Sequence, residues 1–185
     1  VSTFRVSFVL YSFVDILGAV LHKGRVDIGF LGGLEADQFG NLNTTLLGDP
    51  AGSFRHFVGS GGANDIASSA QSTVIIMRHE ARKLKKSISF ITSPGYLSGG
   101  DSREKAGLKG GPKRVITDKA IFGFHPETRQ MMLISIHPGT TLEDVLNTMG
   151  FRPVITEKVP FTEPPTGEQL RLIREVIDPK RMYMG

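Results

Sequence analysis

The chain has 185 residues, of which 39% are hydrophobic and 22% are charged, a composition typical of a folded globular protein of one domain. The formal net charge of +4 tolerates an anionic ligand but does not indicate nucleic-acid binding. Because cysteine is absent, disulfides, thiolate metal sites and cysteine nucleophiles are excluded, which fits a cytoplasmic location.

The first part of the chain predicts a core segment, a helix and a strand. The apolar run Val6–Val14 is well short of the roughly 20 residues that a membrane span needs, so we interpret it as core. Apolar residues at helical spacing predict a helix over Phe13–His22. Residues 26–31 then predict a strand, which ends at the close-approach glycines Gly32 and Gly33.

The rest of the chain interleaves strand and helix signals. Apolar runs predict strands at Thr73–Met77, Ser87–Ile91, Arg114–Thr117, Ile121–Phe124 and Met131–Ile136, the last two as a hairpin. Helices are predicted over Leu142–Met149, capped by Thr141, and over Gly167–Ile177. This order indicates an α/β fold with an open, mixed or parallel-rich sheet, covered by helices on both faces.

One glycine-rich stretch precedes a helix predicted to begin at Ala63: Gly59-Ser60-Gly61-Gly62-Ala63-Asn64. Glycine reaches conformations closed to other residues, so several N–H groups can converge on one anion. The stretch is not a dinucleotide fingerprint, because Asn64 stands where the third glycine is required, and it is not a P-loop. The residues predict a loop that presents backbone donors to an oxyanion or a phosphate, and a plain structural loop is the alternative.

Other candidate groups favour structural roles. The five histidines show no metal-ligand spacing, so no metal site is expected. The basic run Arg78–Lys86 lacks interleaved aromatic residues and is interpreted as a solvated segment. Ser60 is not expected to be a nucleophile, because Val58 replaces the first glycine of a nucleophile elbow.

Seven motifs, in order over nearly the whole chain, resemble those of a known family. They are Phe30-Leu31-Gly32-Gly33 with Asp37 to Asn43, Gly59 to Asn64, His79-Glu80, Thr92-Ser93-Pro94-Gly95-Tyr96, Val115 to Asp118, Glu143-Asp144-Val145 and Ile173 to Pro179. Together they resemble the B subunits of family I coenzyme A transferases, in particular those of the glutaconate-transferring branch. We therefore expect residues 1–185 to be a single domain of that kind.

The resemblance implies a reaction that moves coenzyme A between carboxylic acids, with coenzyme A as substrate and no permanently bound cofactor. It also implies an A subunit as partner, and no nucleic acid or membrane. The backbone N–H groups of Gly61 and Gly62 would form an oxyanion hole. The expected substrate and coenzyme A contacts are Gly59, Ser60, Ala63, Asn64, Gly32, Gly33, Ser93 and Gly95. The loop 98–112, with Arg103, Lys105, Lys109 and nearby Lys113, is a weaker candidate for the phosphates of coenzyme A.

One family feature is absent from the sequence. The nucleophilic glutamate of these enzymes lies in a Glu-x-Gly motif, and none of the nine glutamates here has glycine two residues later. Glu35 lies beside Gly32 and Gly33, but a structural or binding role is expected for it. The chain is either part of a longer subunit, or has a misassigned start, or belongs to a branch without the nucleophile. Acyl-CoA hydrolysis, ring cleavage and a non-catalytic binding role are therefore alternatives to CoA transfer.

Overall fold

The computed structural model describes residues 12–49 and 51–182. The strands are β1 (Ile28–Leu31), β2 (Glu35–Asp37), β3 (Leu42–Asn43), β4 (Leu46–Gly48), β5 (Phe54–His56), β6 (Ser72–Ile76), β7 (Leu84–Lys85), β8 (Pro112–Ile116), β9 (Ala120–Phe124) and β10 (Met131–Ile136). The helices are α1 (Phe13–Asp15), α2 (Ala63–Ser69), α3 (Ser102–Lys105), α4 (Leu142–Asn147) and α5 (Gly167–Arg171). Two of them continue as π-helices, α1 over Ile16–Leu21 and α5 over Leu172–Ile177.

The main sheet has five strands in the order β1-β6-β8-β9-β10. The pairs β1–β6 and β6–β8 are parallel, whereas β8–β9 and β9–β10 are antiparallel. Two smaller sheets, β3-β2-β7 and β4-β5, are formed by the segments that connect β1 to β6 and β6 to β8. The predicted α/β fold with a mixed sheet is confirmed, as is the β9–β10 hairpin.

Capping side chains explain where the helices begin. Thr141 accepts a hydrogen bond from the Asp144 N–H, and Asp144 accepts one in return from the Thr141 N–H, as the capping signal of α4 predicts. The same reciprocal arrangement begins α5, through Thr166 and Gln169. Among the described residues, no helix combines the length and apolar character needed to cross a bilayer.

The core lies on one face of the main sheet. Its fully buried side chains come from β6, β8, β9, β10 and α4, and include Ile75, Val115, Phe122, Met131, Leu133 and Val145. Leu42 of β3 and Leu84 of β7 join the same cluster, so the β3-β2-β7 sheet packs on the main one. The core therefore fixes the position of the connections that follow β1 and β6.

The predicted burial of both sheet faces is wrong at the β1 end. Alternate residues there point away from the core, and Ile28, Phe30 and Ile76 are 50%, 66% and 52% exposed. Parallel strands with apolar residues on both faces do not by themselves ensure that both faces are covered. The core interpretation of Val6–Val14 lies mostly outside the described residues, and its described members, Ser12, Phe13 and Val14, are exposed.

The predicted strand Ser87–Ile91 is also wrong. The strand in this region is β7, which pairs in parallel with β2 through Ala36 and Leu84, both fully buried. Phe90 and Ile91 are exposed and belong to no strand. Of the two segments, the one that contains the buried Leu84 pairs with β2, and Ser87–Ile91 does not.

Candidate functional site

Two glycines of the loop Gly59–Ala63 have left-handed backbone conformations. Gly59 and Gly61 have φ values of +86° and +49°, in the left-handed region that other residues rarely adopt. A Cβ atom added to either would meet nothing within 4 Å. Conformation, and not space, therefore requires glycine at both positions.

Three successive N–H groups of this loop are unused. Those of Ser60, Gly61 and Gly62 have no hydrogen-bond acceptor among the described residues. The next N–H, of Ala63, donates to the Ser60 carbonyl at 2.9 Å. Successive free backbone donors form a concavity that binds anions, so the loop can stabilise negative charge on a ligand oxygen.

Helix α2 places the loop at the carboxyl edge of the parallel strands. Just beyond the C-terminal end of α2, the Gln71 and Ser72 N–H groups donate to the carbonyls of Val26 and Asp27, immediately before β1. The helix therefore runs antiparallel to β1, and its first turn lies near the end of that strand. This edge is where ligands of open α/β sheets bind.

Both ends of the loop are hydrogen-bonded to a group of threonines. At the first end, the Gly59 N–H donates to the Thr44 carbonyl at 3.2 Å, and the Thr44 hydroxyl donates to the Gly59 carbonyl at 2.8 Å. At the second end, the Asn64 amide donates to the Thr92 carbonyl at 2.7 Å. The predicted contact residue Asn64 is thus engaged with Thr92.

Gly32 and Gly33 follow β1 at the same edge of the sheet. Gly32 is exposed, and a Cβ atom there would only touch the Ile76 carbonyl oxygen at 3.4 Å. A Cβ atom on Gly33 would lie 3.1 Å from the Glu35 carbonyl oxygen, so Gly33 allows close packing of β2. Of the pair, Gly32 is the one that is open to a ligand.

The structure gives Ser93 and Gly95 different surroundings. The Ser93 hydroxyl is buried and has no hydrogen-bond partner among the described residues, which is unusual for a buried polar group. Gly95 packs on backbone, because an added Cβ atom would lie 2.3 Å from the Gly40 carbonyl carbon. Ser93 adjoins Thr92, whereas Gly95 faces the turn between β2 and β3.

Glu35 has the structural role expected of it. Its carboxylate is buried, forms an ion pair with Lys85 of β7 and accepts a 2.7 Å hydrogen bond from the Asn43 amide of β3. These contacts join the strands of the β3-β2-β7 sheet. A carboxylate held on both sides in this way is not free to attack a substrate.

Arg103 is not available to bind a phosphate, contrary to the expectation for the loop 98–112. Its buried guanidinium donates to the carbonyl oxygens of Ala67, Pro94, Gly95 and Lys109 at 2.6–3.3 Å. Burial lowers the pKa of Arg103 from its ordinary value. The loop is therefore fastened to α2 and to the segment after Thr92.

The basic run Arg78–Lys86 contains a buried histidine. The His79 ring lies between the Thr117 hydroxyl and the Val145 carbonyl, at 3.0 Å from each, and burial lowers the pKa of His79. Arg82 pairs with Glu80, but the interpretation of this run as a solvated segment is wrong at His79 and at the fully buried Leu84 of β7. Within the described ranges, no three histidine, aspartate or glutamate side chains converge as a metal site requires.

Sequence reasoning missed Thr44 and Thr92 as parts of the site. Thr92 was noted only as the first residue of a family motif, and Thr44 was not assigned to any motif. A threonine gives no signal of its own when its partners are 15 to 48 residues away in the chain. The contacts become visible only in the folded chain.

Comparisons with known proteins bear on this site. The coenzyme A transferase family profile matches residues 15–148. The B subunit of glutaconate CoA-transferase from Acidaminococcus fermentans is 41% identical over 166 residues, which are 89% of this chain and 62% of that protein. The B subunit of 3-oxoadipate CoA-transferase from Pseudomonas knackmussii is 39% identical over 155 residues, 83% of this chain and 60% of that protein.

A more distant relative is named as a hydrolase subunit and not as a transferase subunit. The IpdB subunit of the cholesterol ring-cleaving hydrolase from Rhodococcus jostii is 26% identical over 163 residues, 88% of this chain and 64% of that protein. The crystal structure of the A. fermentans glutaconate coenzyme A-transferase matches with a TM-score of 0.86 and 37% identity, covering 98% of this chain and 72% of that chain. The present chain spans less than two thirds of the length of these curated relatives.

Proposed function

Because this chain belongs to the coenzyme A transferase family, we propose that it forms a B-subunit domain of an enzyme that moves coenzyme A from an acyl-CoA to a carboxylic acid. The supporting observation is the run of free N–H groups at Ser60, Gly61 and Gly62. Attack on a thioester or an anhydride passes through a tetrahedral oxyanion, and backbone donors stabilise that charge in the transition state. In this proposal Gly61 and Gly62 form the oxyanion hole.

The other predicted contacts take supporting positions. Gly59, Ser60, Ala63 and Asn64 shape the loop, and exposed Gly32 borders the substrate at the sheet edge. Roles for Gly33 and Gly95 in substrate binding stay predictions, since packing alone accounts for glycine at both positions. A role for Ser93 in substrate binding also stays a prediction, since its hydroxyl is buried in this structure.

The proposed chemistry is covalent and uses a glutamate other than the nine of this sequence, none of which lies in a Glu-x-Gly motif. The glutamate carboxylate attacks the thioester carbonyl carbon and expels CoA thiolate, which leaves an acyl-glutamyl anhydride. CoA thiolate then attacks the glutamyl carbonyl, releasing the first acid and forming a glutamyl-CoA thioester. The acceptor carboxylate attacks that thioester, and the returning thiolate attacks the new acyl carbonyl, which regenerates the glutamate.

The proposed partner is an A subunit that supplies much of the acid-binding surface, in keeping with the subunit names of the relatives. We propose a dicarboxylic acid as acceptor, because glutaconate and 3-oxoadipate, which name two relatives, are both dicarboxylates. The absence of cysteine supports a cytoplasmic location for the complex.

The oxyanion role is tested with loop variants in the complex with the A subunit. Gly61→Val places a β-branched residue where φ is +49°, so we expect the loop to shift and kcat to fall about 100-fold, the scale of losing one oxyanion donor. Gly61→Asn, which tolerates this conformation, is expected to keep kcat within about fivefold.

Gly139 provides the matched control. It also has positive φ and nothing within 4 Å of an added Cβ atom, but it lies between β10 and α4. Gly139→Val should cost roughly 1–2 kcal/mol of stability and leave kcat unchanged. Normal turnover in Gly61→Val would eliminate the oxyanion hole from the proposal.

Acyl-CoA hydrolysis or ring cleavage is the second candidate, favoured by the similarity to the IpdB subunit of a ring-cleaving hydrolase. Incubation of the complex with acyl-CoA, followed by hydroxylamine and intact-mass measurement, separates the two. A modified glutamate supports transfer through a covalent thioester. Release of free CoA with no adduct and no exchange into the acceptor acid supports hydrolysis.

A further inference from the structure

We propose that Thr92 is the positioning residue that sets the direction of the free N–H groups between Gly59 and Ala63. The inference rests on the proposed function, because the effect on turnover follows from the oxyanion role of that loop. It adds a residue that does not contact the substrate. Thr92 acts through hydrogen bonds that reach both ends of the loop.

The first end of the loop reaches Thr92 through Thr44. The Thr44 N–H donates to the Thr92 hydroxyl at 2.9 Å. Thr44 in turn holds both polar groups of the Gly59 backbone, its carbonyl accepting from the N–H and its hydroxyl donating to the carbonyl. Rotation of the backbone at Gly59 therefore breaks a hydrogen bond to Thr44, and the N–H of Thr44 is itself held by the Thr92 hydroxyl.

The second end reaches Thr92 through Asn64. The Asn64 side chain donates to the Thr92 carbonyl at 2.7 Å. Asn64 lies in the first turn of α2, directly after Gly62 and Ala63. The start of α2 is thus hydrogen-bonded to Thr92 directly, and the first loop residue is connected to Thr92 through Thr44. Between these two ends of the loop lie only the three unused N–H groups.

Thr92 is itself held firmly. Only 6% of its surface is exposed, its N–H donates to the Leu42 carbonyl of β3 at 2.9 Å, and its hydroxyl shares a 2.8 Å hydrogen bond with Thr45. The hydroxyl is needed to accept from the Thr44 N–H. Serine keeps this function, whereas valine has the same shape and lacks it.

An oxyanion hole loses efficiency when its donors move by a fraction of an ångström. Without the Thr92 hydroxyl, the Thr44 N–H loses its acceptor and the Gly59 end of the loop is released. The donors contact charge that develops only in the transition state, so kcat should fall while KM changes little. This separation distinguishes positioning of the loop from substrate binding.

The experiment compares Thr92→Val, Thr92→Ser and Thr162→Val in the complex with the A subunit. Thr162 is a matched control, since its hydroxyl also has two hydrogen-bond partners, in this case the Ser135 and His137 side chains beside β10. We expect Thr92→Val to lower kcat about 10- to 100-fold with KM within about twofold. Thr92→Ser should restore kcat to within about threefold, and Thr162→Val should leave it unchanged.

A second readout requires no turnover. In complexes labelled with ¹⁵N-glycine, Thr92→Val should shift the amide signals of Gly59, Gly61 and Gly62 and leave that of Gly139 in place. Unmoved loop signals overturn the positioning role, whatever the activity of the enzyme. Shifted signals with an unchanged kcat uphold the positioning but overturn the oxyanion role. Serine and valine variants that are equally impaired also overturn the inference.

Discussion

Replacing Arg103 by methionine is expected to release the loop 98–112 from the rest of the fold. Arg103 is 3% exposed, and four carbonyl oxygens, those of Ala67, Pro94, Gly95 and Lys109, have no other donor among the described residues. Methionine fills much of the stem volume and donates to none of them. A buried carbonyl left without a donor costs at least about 1 kcal/mol.

Only the carbonyls of Ala67 and Gly95 belong to buried residues, so we expect Arg103→Met to lose about 2 kcal/mol or more in the free energy of unfolding. Arg103→Lys keeps the charge but cannot reach all four oxygens, and a loss of about half that size is expected. Urea unfolding of the two variants and the parent measures these values. Lys105 and Lys109 supply a local readout, because trypsin should cleave after them more than about tenfold faster once the loop is free.

The reasoning fails if Arg103→Met loses less than about 1 kcal/mol and the trypsin rates at Lys105 and Lys109 are unchanged. Such a result would mean that water or loop rearrangement satisfies the four carbonyls. A large loss of stability with unchanged local cleavage would instead place the effect elsewhere in the fold. Cleavage after Arg103 itself is excluded from the comparison, since the variant removes that site.

Two further predictions concern Gly95 and His79. Gly95→Ala puts a Cβ atom against the Gly40 backbone, so we expect a loss of about 3 kcal/mol or more in urea unfolding, whereas Gly167→Ala, which meets nothing within 4 Å, should be neutral or slightly stabilising; equal stabilities would contradict the packing. Burial depresses the folded-state pKa of His79, so the unfolded chain takes up the proton first. The stability that neutral His79 contributes is complete above about pH 6.5 and is lost as the pH falls below that value, and His79→Gln should flatten that part of the stability profile; a parent and variant with parallel slopes would exclude His79 as the cause.

Strand patterns predict much of the main sheet because its strands combine apolar runs with glycine boundaries. The segments that become β1, β6, β8, β9 and β10 are all recognised from the sequence, within a few residues. The failure at Ser87–Ile91 has a physical cause. Periodicity shows that a segment could pair, but the partner strand β2 selects Leu84, whose side chain completes the core.

At the candidate site, the sequence predicts the glycine loop but not what holds it. Positive φ at Gly59 and Gly61 follows from local chemistry, whereas Thr44 and Thr92 act through contacts that are distant in the chain. Glycine is also ambiguous by itself. Gly32 and Gly95 look alike in sequence, but one is open at the sheet edge and the other is pressed against the Gly40 backbone.

The mixed order of the main sheet has a consequence for how the chain folds. The strands β8, β9 and β10 follow one another in sequence, so this antiparallel half requires only short loop closures. The pairing of β1 with β6 and the contacts of Thr92 with Thr44 and Asn64 close much longer loops. We therefore expect the meander to form early and the glycine loop to acquire its shape near the end of folding. Substitutions around Thr92 should then accelerate unfolding and leave the refolding rate almost unchanged.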